Sequence, residues 1–96
     1  MQTKKQKVMY YILIYDIANP KRLAKALKTC RKYLYWVQRS VFEGELTKTQ
    51  YLSLKQEMLS IIKRKEDSLI FYAIRNTEVV EKKVFGIEKN EITNFI

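Results

Sequence analysis

The sequence predicts an α+β sandwich, in which one antiparallel sheet carries two helices on one face. Two observations favour this fold class. The continuous apolar runs Val8–Tyr15 and Leu69–Ile74 are typical of buried strands. Two segments with helical spacing of apolar residues follow good cap residues and alternate with the β regions along the chain. The 96 residues suffice for one domain with a single core.

The first part of the chain predicts a strand and a helix. The strand Val8–Tyr15 is apolar at every position. Asn19 is a favourable N-cap and Pro20 a favourable first helical residue, so we expect a helix from Pro20 to about Tyr33. Its apolar face is expected at steps of four, three and four residues, at Leu23, Leu27, Cys30 and Leu34.

The middle of the chain predicts a β region and a second helix. Tyr35–Leu46 is either one bent strand or two short strands that turn near Arg39–Ser40. Thr47 and Gln50 have the spacing of a capping box, in which each side chain binds the backbone amide of the other. The helix then runs to about Lys63, with an apolar face formed by Tyr51, Leu54, Met58 and Ile61.

The last part of the chain predicts two more strands. A turn at Glu66–Ser68 precedes the strand Leu69–Ile74, and Val79–Gly86 is expected to add a short strand at an edge of the sheet. Residues 1–7 are polar and expected to fray. The order β-α-β-(β)-α-β is that of a ferredoxin-like sandwich with its antiparallel sheet, formed by one domain over residues 1–96.

The second face of this sheet needs a cover. Strands with one solvated face alternate apolar and polar residues, but Val8–Tyr15 and Leu69–Ile74 do not. We favour a second copy of the chain, packed sheet to sheet in a symmetric homodimer. The alternative cover is the chain's own C-terminal segment.

Positive charge is concentrated in one part of the chain. The net charge is +9, and residues 1–39 contain ten basic side chains and one acidic one, while residues 40–96 contain nine of each. Such asymmetry favours a polyanionic partner, RNA or DNA. We expect nucleic-acid contacts from the outer face of the first helix and from the β region, at Lys21, Arg22, Lys25, Lys28 and Arg39.

Composition excludes several kinds of site. The chain has no histidine, which excludes histidine-activated nucleophiles and histidine metal ligands. Its single cysteine, Cys30, excludes an intrachain disulfide and fits a reducing compartment, so we expect the cytoplasm. No apolar run is long enough to span a bilayer, and no membrane partner is expected. Trp36 and Phe42 are expected in the core or an interface, with base stacking as the alternative.

Asp16 is the candidate catalytic residue and metal ligand. It ends the first apolar strand, is the only acidic residue among the first 39, and precedes a basic helix start. A charge that stabilises the helix dipole is the alternative. Mg²⁺ binds oxygen ligands and often uses only one or two protein carboxylates, so two copies of Asp16 in a dimer could share one ion. Arg22 is the best candidate for a bidentate phosphate clamp beside Asp16.

Several motifs in this order resemble a known family. Tyr15-Asp16-Ile17, followed by Lys21-Arg22, resembles its first motif, and Val37–Leu46 (VQRSVFEGEL) resembles its second. The segments Asp67–Tyr72 and Val84–Gly86 complete the order. On these motifs the chain is similar to the CRISPR-associated protein 2 family, the small subunit of the spacer-acquisition machinery.

The resemblance implies a fold, an activity and partners. It implies a ferredoxin-like homodimer whose sheets face each other and whose C-terminal strand and tail, about residues 79–96, pair with the partner subunit. It implies a Mg²⁺-dependent endonuclease on RNA or DNA, with Asp16 as the metal ligand, that also acts as a DNA-binding scaffold for the CRISPR integrase. The alternatives are a non-catalytic nucleic-acid-binding scaffold and a toxin-like ribonuclease of related fold.

Overall fold

The structure, a computed structural model, describes residues 7–87. The predictions for residues 1–6 and for the tail at 88–96 lie outside the described residues. The elements are β1 (Val8–Asp16), α1 (Pro20–Arg31), β2 (Tyr35–Gln38), β3 (Val41–Thr47), α2 (Lys48–Ile61), β4 (Ser68–Ile74) and a short 3-10 helix (Thr77–Val79). The strands form one antiparallel sheet in the order β2-β3-β1-β4. This topology confirms the ferredoxin-like sandwich.

Both helices begin at the predicted cap residues. The side-chain oxygen of Asn19 accepts hydrogen bonds from the amides of Lys21 and Arg22, at 2.9 and 3.0 Å. The Thr47 hydroxyl accepts from the Gln50 amide at 3.2 Å, and the Gln50 side chain accepts from the Thr47 amide at 2.8 Å. The capping box is therefore confirmed, and it satisfies amides that have no partner within the helix.

Replacing Thr47 with Ala is expected to destabilise the protein by about 1 kcal/mol, because the Gln50 amide loses its acceptor. The measurement is urea unfolding at fixed protein concentration. Thr47→Ser, which keeps the hydroxyl, is the control and should unfold near the wild-type midpoint. An unchanged midpoint in Thr47→Ala would show that the cap contributes little.

The second β region is two strands, which settles the alternative left open by the sequence. Gln38 pairs with Val41, and Arg39 between them adopts a left-handed conformation with φ 31°. The indole of Trp36 donates to the Arg39 carbonyl at 2.9 Å and helps to hold this turn. The strands β2 and β3 therefore form a tight hairpin.

The core lies between the sheet and the two helices. Leu13 of β1 and Phe42 of β3 are fully buried there, against Leu54 and Met58 of α2. Trp36 stacks on Phe42 with ring centroids 6.4 Å apart. The prediction of a core position is therefore confirmed for Phe42, and its complete burial leaves no room for a base to stack on it.

The apolar face predicted for the first helix is confirmed at Leu27, Cys30 and Leu34, which are buried or packed against the core, but not at Leu23. The buried residues of α1 are Ala26, Thr29 and Cys30, whereas Leu23 is 40% exposed. The prediction was wrong for Leu23 because Arg22 turns inward to a buried carboxylate, described below. Burial raises the pKa of the Cys30 thiol to about 12, so this cysteine stays a neutral, unreactive core residue.

The second face of the sheet is only partly covered by the chain itself. After the 3-10 helix the chain crosses this face, where Lys82 forms an ion pair with Glu43 of β3. A groove of about 410 Å³ separates the crossing segment from Tyr10 and Ile12 of β1. On β4 of the same face, Ile70 and Tyr72 remain 44% and 55% exposed.

The additional strand predicted at Val79–Gly86 is not formed in the single chain. Residues 80–87 have no regular secondary structure. The 3-10 helix Thr77–Val79, capped by Asn76, directs the chain over the face of the sheet instead of along a strand edge, so no ladder of backbone hydrogen bonds can form. Pairing of this segment with a partner subunit stays a prediction, as does the homodimer.

No helix within residues 7–87 has the length and apolar character needed to cross a bilayer.

Candidate metal and nucleic-acid site

Four segments of the chain meet at one end of the sheet. Strand β1 ends there at Asp16, and β4 begins there with Ser68, the cross-strand neighbour of Asp16. The β2–β3 hairpin lies at the same end, because the Tyr15 amide donates to the Ser40 carbonyl at 3.2 Å. Helix α1 starts at this end with Pro20. The ends of β1, of the β2–β3 hairpin, of β4 and of α1 therefore all lie at the end of the sheet that carries Asp16.

Asp16 presents an accessible carboxylate at this end. The residue is exposed and lies on the face opposite the buried Tyr15. Its side chain forms no ion pair or hydrogen bond within residues 7–87. The Ser68 side chain projects from the same face, since directly opposed residues in an antiparallel pair share a face, about 5 Å apart at Cβ. The Asp16 carboxylate is therefore free to bind a cation from solution.

A single chain offers few metal ligands at this place. Within residues 7–87 no group of three or more Asp, Glu, His or Cys side chains could hold an ion. The exposed Asp16 carboxylate fits Mg²⁺, which prefers oxygen ligands and keeps several of its waters. The remaining ligands would have to come from a second subunit or from substrate phosphates.

Arg22 points to a carboxylate of its own chain. Its Nε donates to Asp67 Oδ2 at 2.8 Å, and its Nη2 donates to Asp67 Oδ1 at 3.0 Å and to Glu66 Oε1 at 3.1 Å. These hydrogen bonds raise the pKa of Arg22 and hold the pKa of the Asp67 carboxyl well below its usual range. The bidentate geometry predicted for a phosphate is used here on Asp67.

The other predicted nucleic-acid residues are exposed. Lys21 and Arg39 lie at the end of the sheet that carries Asp16. Lys25 and Lys28 lie further along the outer side of α1, on successive turns. Together these exposed residues form a basic surface that starts at the end of the sheet carrying Asp16 and continues along α1.

The sequence reasoning missed a second basic cluster. The exposed residues Lys63, Arg64 and Lys65 form the turn between α2 and β4. The contacts of Arg22 with Glu66 and Asp67 hold this turn against the start of α1. The net charge of residues 40–96 is zero, so the charge of the segment as a whole gave no sign of the cluster. The run of three consecutive basic residues was the signal that could have revealed it.

A family model described as "CRISPR associated protein Cas2" matches residues 9–82. This chain belongs to the Cas2 family. Two relatives named "CRISPR-associated endoribonuclease Cas2", from Dictyoglomus turgidum and Thermotoga maritima, are each 49% identical over 86% of this chain and 94% of the relative. The resemblance carried by the Tyr15-Asp16-Ile17 and Val37–Leu46 motifs is therefore confirmed.

Solved structures of Cas2 proteins share the fold. One, titled "Crystal structure of cas2", is similar at a TM-score of 0.75 and 36% identity, over 85% of this chain and 91% of that one. The Streptococcus pyogenes Cas2 structure is similar at a TM-score of 0.70 and 31% identity, over 80% of this chain and all of that one. The four-stranded sheet with two helices is thus an architecture known from the Cas2 family.

Proposed function

We propose that this Cas2 family member is a Mg²⁺-dependent endonuclease that cleaves phosphodiester bonds in RNA or DNA. The observation that carries the proposal is the exposed carboxylate of Asp16, which has no partner within residues 7–87 and lies at the end of the sheet where Lys21 and Arg39 also lie. The names of the relatives, which are CRISPR-associated endoribonucleases, support the reaction and make RNA the first substrate to test.

The active form is a homodimer joined through the half-covered sheet face. Ile14 and Ile70 lie next to Asp16 on that face, and Ile70 is 44% exposed. A second copy packed on these residues removes apolar area from water and carries its own Asp16 to the same interface. The two Asp16 carboxylates would then be the protein ligands for one Mg²⁺, with water and substrate phosphates as the remaining ligands.

Each group near Asp16 has a defined task in this reaction. When bound, Mg²⁺ polarises a phosphoryl oxygen and increases the acidity of water. Asp16 holds the ion, while Lys21 and Arg39 bind the flanking phosphates of the substrate. Lys63, Arg64 and Lys65 extend this binding surface on the other side of the start of α1. Positioning of the phosphodiester relative to the ion is what the protein contributes.

Cleavage of RNA and of duplex DNA is expected to require Mg²⁺ and to be abolished by a chelator. The measurement is the cleavage rate of both substrates over a Mg²⁺ titration of the purified homodimer, with Ca²⁺ as a control ion that binds oxygen ligands but with looser geometry. Cleavage that continues at the same rate in excess chelator would overturn the metal-dependent mechanism.

A second function is supported by the basic surface that leads away from Asp16. Lys25 and Lys28 lie on turns of α1 beyond the start of the helix, so the surface follows a longer stretch of phosphates than one cleavage site requires. This favours a DNA-binding scaffold for the CRISPR integrase, either in addition to cleavage or without it. Membership of the Cas2 family favours both roles over that of a toxin-like ribonuclease.

A further inference from the structure

The carboxylate of Asp67 joins three segments around Asp16. Its side chain has no exposed surface. Oδ1 accepts hydrogen bonds from the Ala18 amide at 2.9 Å and from Arg22 Nη2 at 3.0 Å. Oδ2 accepts from Arg22 Nε and from the Lys63 amide, both at 2.8 Å. These four residues, Ala18, Arg22, Lys63 and Asp67, are called the Asp67 clamp.

All the acceptor capacity of this carboxylate is in use within the chain. Each oxygen has two donors, and the planar fork of Arg22 binds both oxygens at once. Asp67 is therefore unavailable as a metal ligand, although it lies at the same end of the sheet as Asp16. A buried carboxylate with four well-placed donors instead fixes the relative positions of the backbone segments that supply them.

The Asp67 clamp holds the backbone that follows Asp16 and the start of the neighbouring strand. Ala18 follows Asp16 by two residues, and the residue between them, Ile17, is buried. On the neighbouring strand, Ser68 follows Asp67 directly and is the cross-strand partner of Asp16. The β1–α1 loop and the start of β4 therefore cannot move independently while the clamp is formed.

We propose that Asp67 is a positioning residue that fixes the Asp16 carboxylate for Mg²⁺ through the Asp67 clamp. This inference rests on the proposed function, since it assigns Asp16 to the metal. A carboxylate shared between two subunits must sit at a defined distance from its symmetry mate, and errors near 1 Å in such sites have large effects on activity. Residues that orient a metal ligand typically contribute about 10- to 100-fold to metal affinity.

Within the Asp67 clamp, Arg22 has a positioning role as well as a charge. Its guanidinium acts through Asp67 and Glu66, so its removal affects the position of Asp16 as well as the charge of the surface. Lys in its place keeps the charge but cannot form the bidentate fork. Arg22→Lys therefore separates the geometric contribution of Arg22 from its electrostatic one.

The test compares the full-length Asp67→Asn protein with wild type before any substrate is added. Mg²⁺ is titrated into each homodimer by calorimetry, and amide hydrogen exchange is measured at Ala18. The variant is expected to bind Mg²⁺ about 10- to 100-fold more weakly and to exchange the Ala18 amide at least about tenfold faster. Arg22→Lys is expected to show intermediate losses on both measurements.

Thr47→Ala is the control for a general loss of stability, because it weakens a helix cap at the end of the sheet opposite Asp16. The Thr47→Ala protein should bind Mg²⁺ as wild type does. If it lost as much Mg²⁺ affinity as Asp67→Asn, Asp67 would have only a structural role and the inference would be overturned. Unchanged Mg²⁺ affinity in Asp67→Asn would also overturn the inference.

If Asp67→Asn fails to fold, Arg22→Lys decides the question, and wild-type Mg²⁺ affinity in that variant overturns the inference. If wild type binds no Mg²⁺, the proposed function itself fails, and that result is known before the variants are compared.

Discussion

Asp16→Asn is expected to reduce Mg²⁺-dependent cleavage by at least about 100-fold while leaving the fold and the dimer intact. Asn has nearly the same shape but no charge, and in a shared site the change removes both carboxylates from the ion at once. The residue is exposed and its side chain has no partner within residues 7–87, so the substitution leaves no buried group unsatisfied. The measurement is the cleavage rate on RNA at saturating Mg²⁺, with the unfolding midpoint alongside.

Glu45→Gln is the matched control for Asp16→Asn. Glu45 is also an exposed carboxylate in the sheet, but it pairs with Tyr10, far from the end that carries Asp16. The Glu45→Gln protein should cleave RNA at the wild-type rate. An Asp16→Asn protein that cuts as fast as wild type would remove Asp16 from the site or point to a contaminating nuclease.

The triple variant Lys21→Gln, Lys25→Gln, Lys28→Gln is expected to bind nucleic acid about 10- to 100-fold more weakly than wild type at moderate salt. Each lysine that contacts a phosphate releases about one counterion, so the slope of log affinity against log salt should fall by about one per contact. All three side chains are exposed on α1, and none forms an ion pair within the described part of the chain. The measurement is the affinity for duplex DNA at several salt concentrations.

The control for this triple variant is Lys7→Gln with Lys48→Gln. These residues flank the β1–β3 pair at the end of the sheet opposite Asp16, and both are exposed. The control should change the salt slope little. If the triple variant kept the wild-type affinity and slope, the outer face of α1 would not be the binding surface.

The two variants together separate the two proposed roles. Spacer insertion with the integrase that survives Asp16→Asn but fails in the lysine variant is the result expected for a scaffold. Insertion that fails in both variants would indicate that the metal site is needed for the biological function. Insertion that survives the lysine variant would argue against the scaffold.

Local chemistry made much of the fold predictable from the sequence. The start of each helix depends on side chains within three residues of the cap, and the Asn19 and Thr47 caps formed as predicted. The face of α2 was also predictable, because Leu54 and Met58 are buried as their spacing indicated. Asp16 was identifiable because a lone acidic residue at the end of an apolar strand is conspicuous in a basic segment.

Contacts between distant segments were not predictable in the same way. Arg22 and Asp67 are 45 residues apart, and no local pattern links them. Their ion pair joins the start of α1 to the basic turn Lys63–Lys65, and Leu23, next to Arg22, is partly exposed. The direction of the chain after β4 likewise depends on which edge or face is available to it, as the contact of Lys82 with Glu43 shows.

The sequence alone therefore determined the elements, their order, the basic character of the first helix and the identity of the exposed acid, because each depends on neighbours along the chain. It was the three-dimensional packing that paired Arg22 with a buried carboxylate and placed the basic turn Lys63–Lys65 at the start of α1. Those assignments follow from the packing of the α2–β4 turn against α1, where a buried charge must find its partner in space.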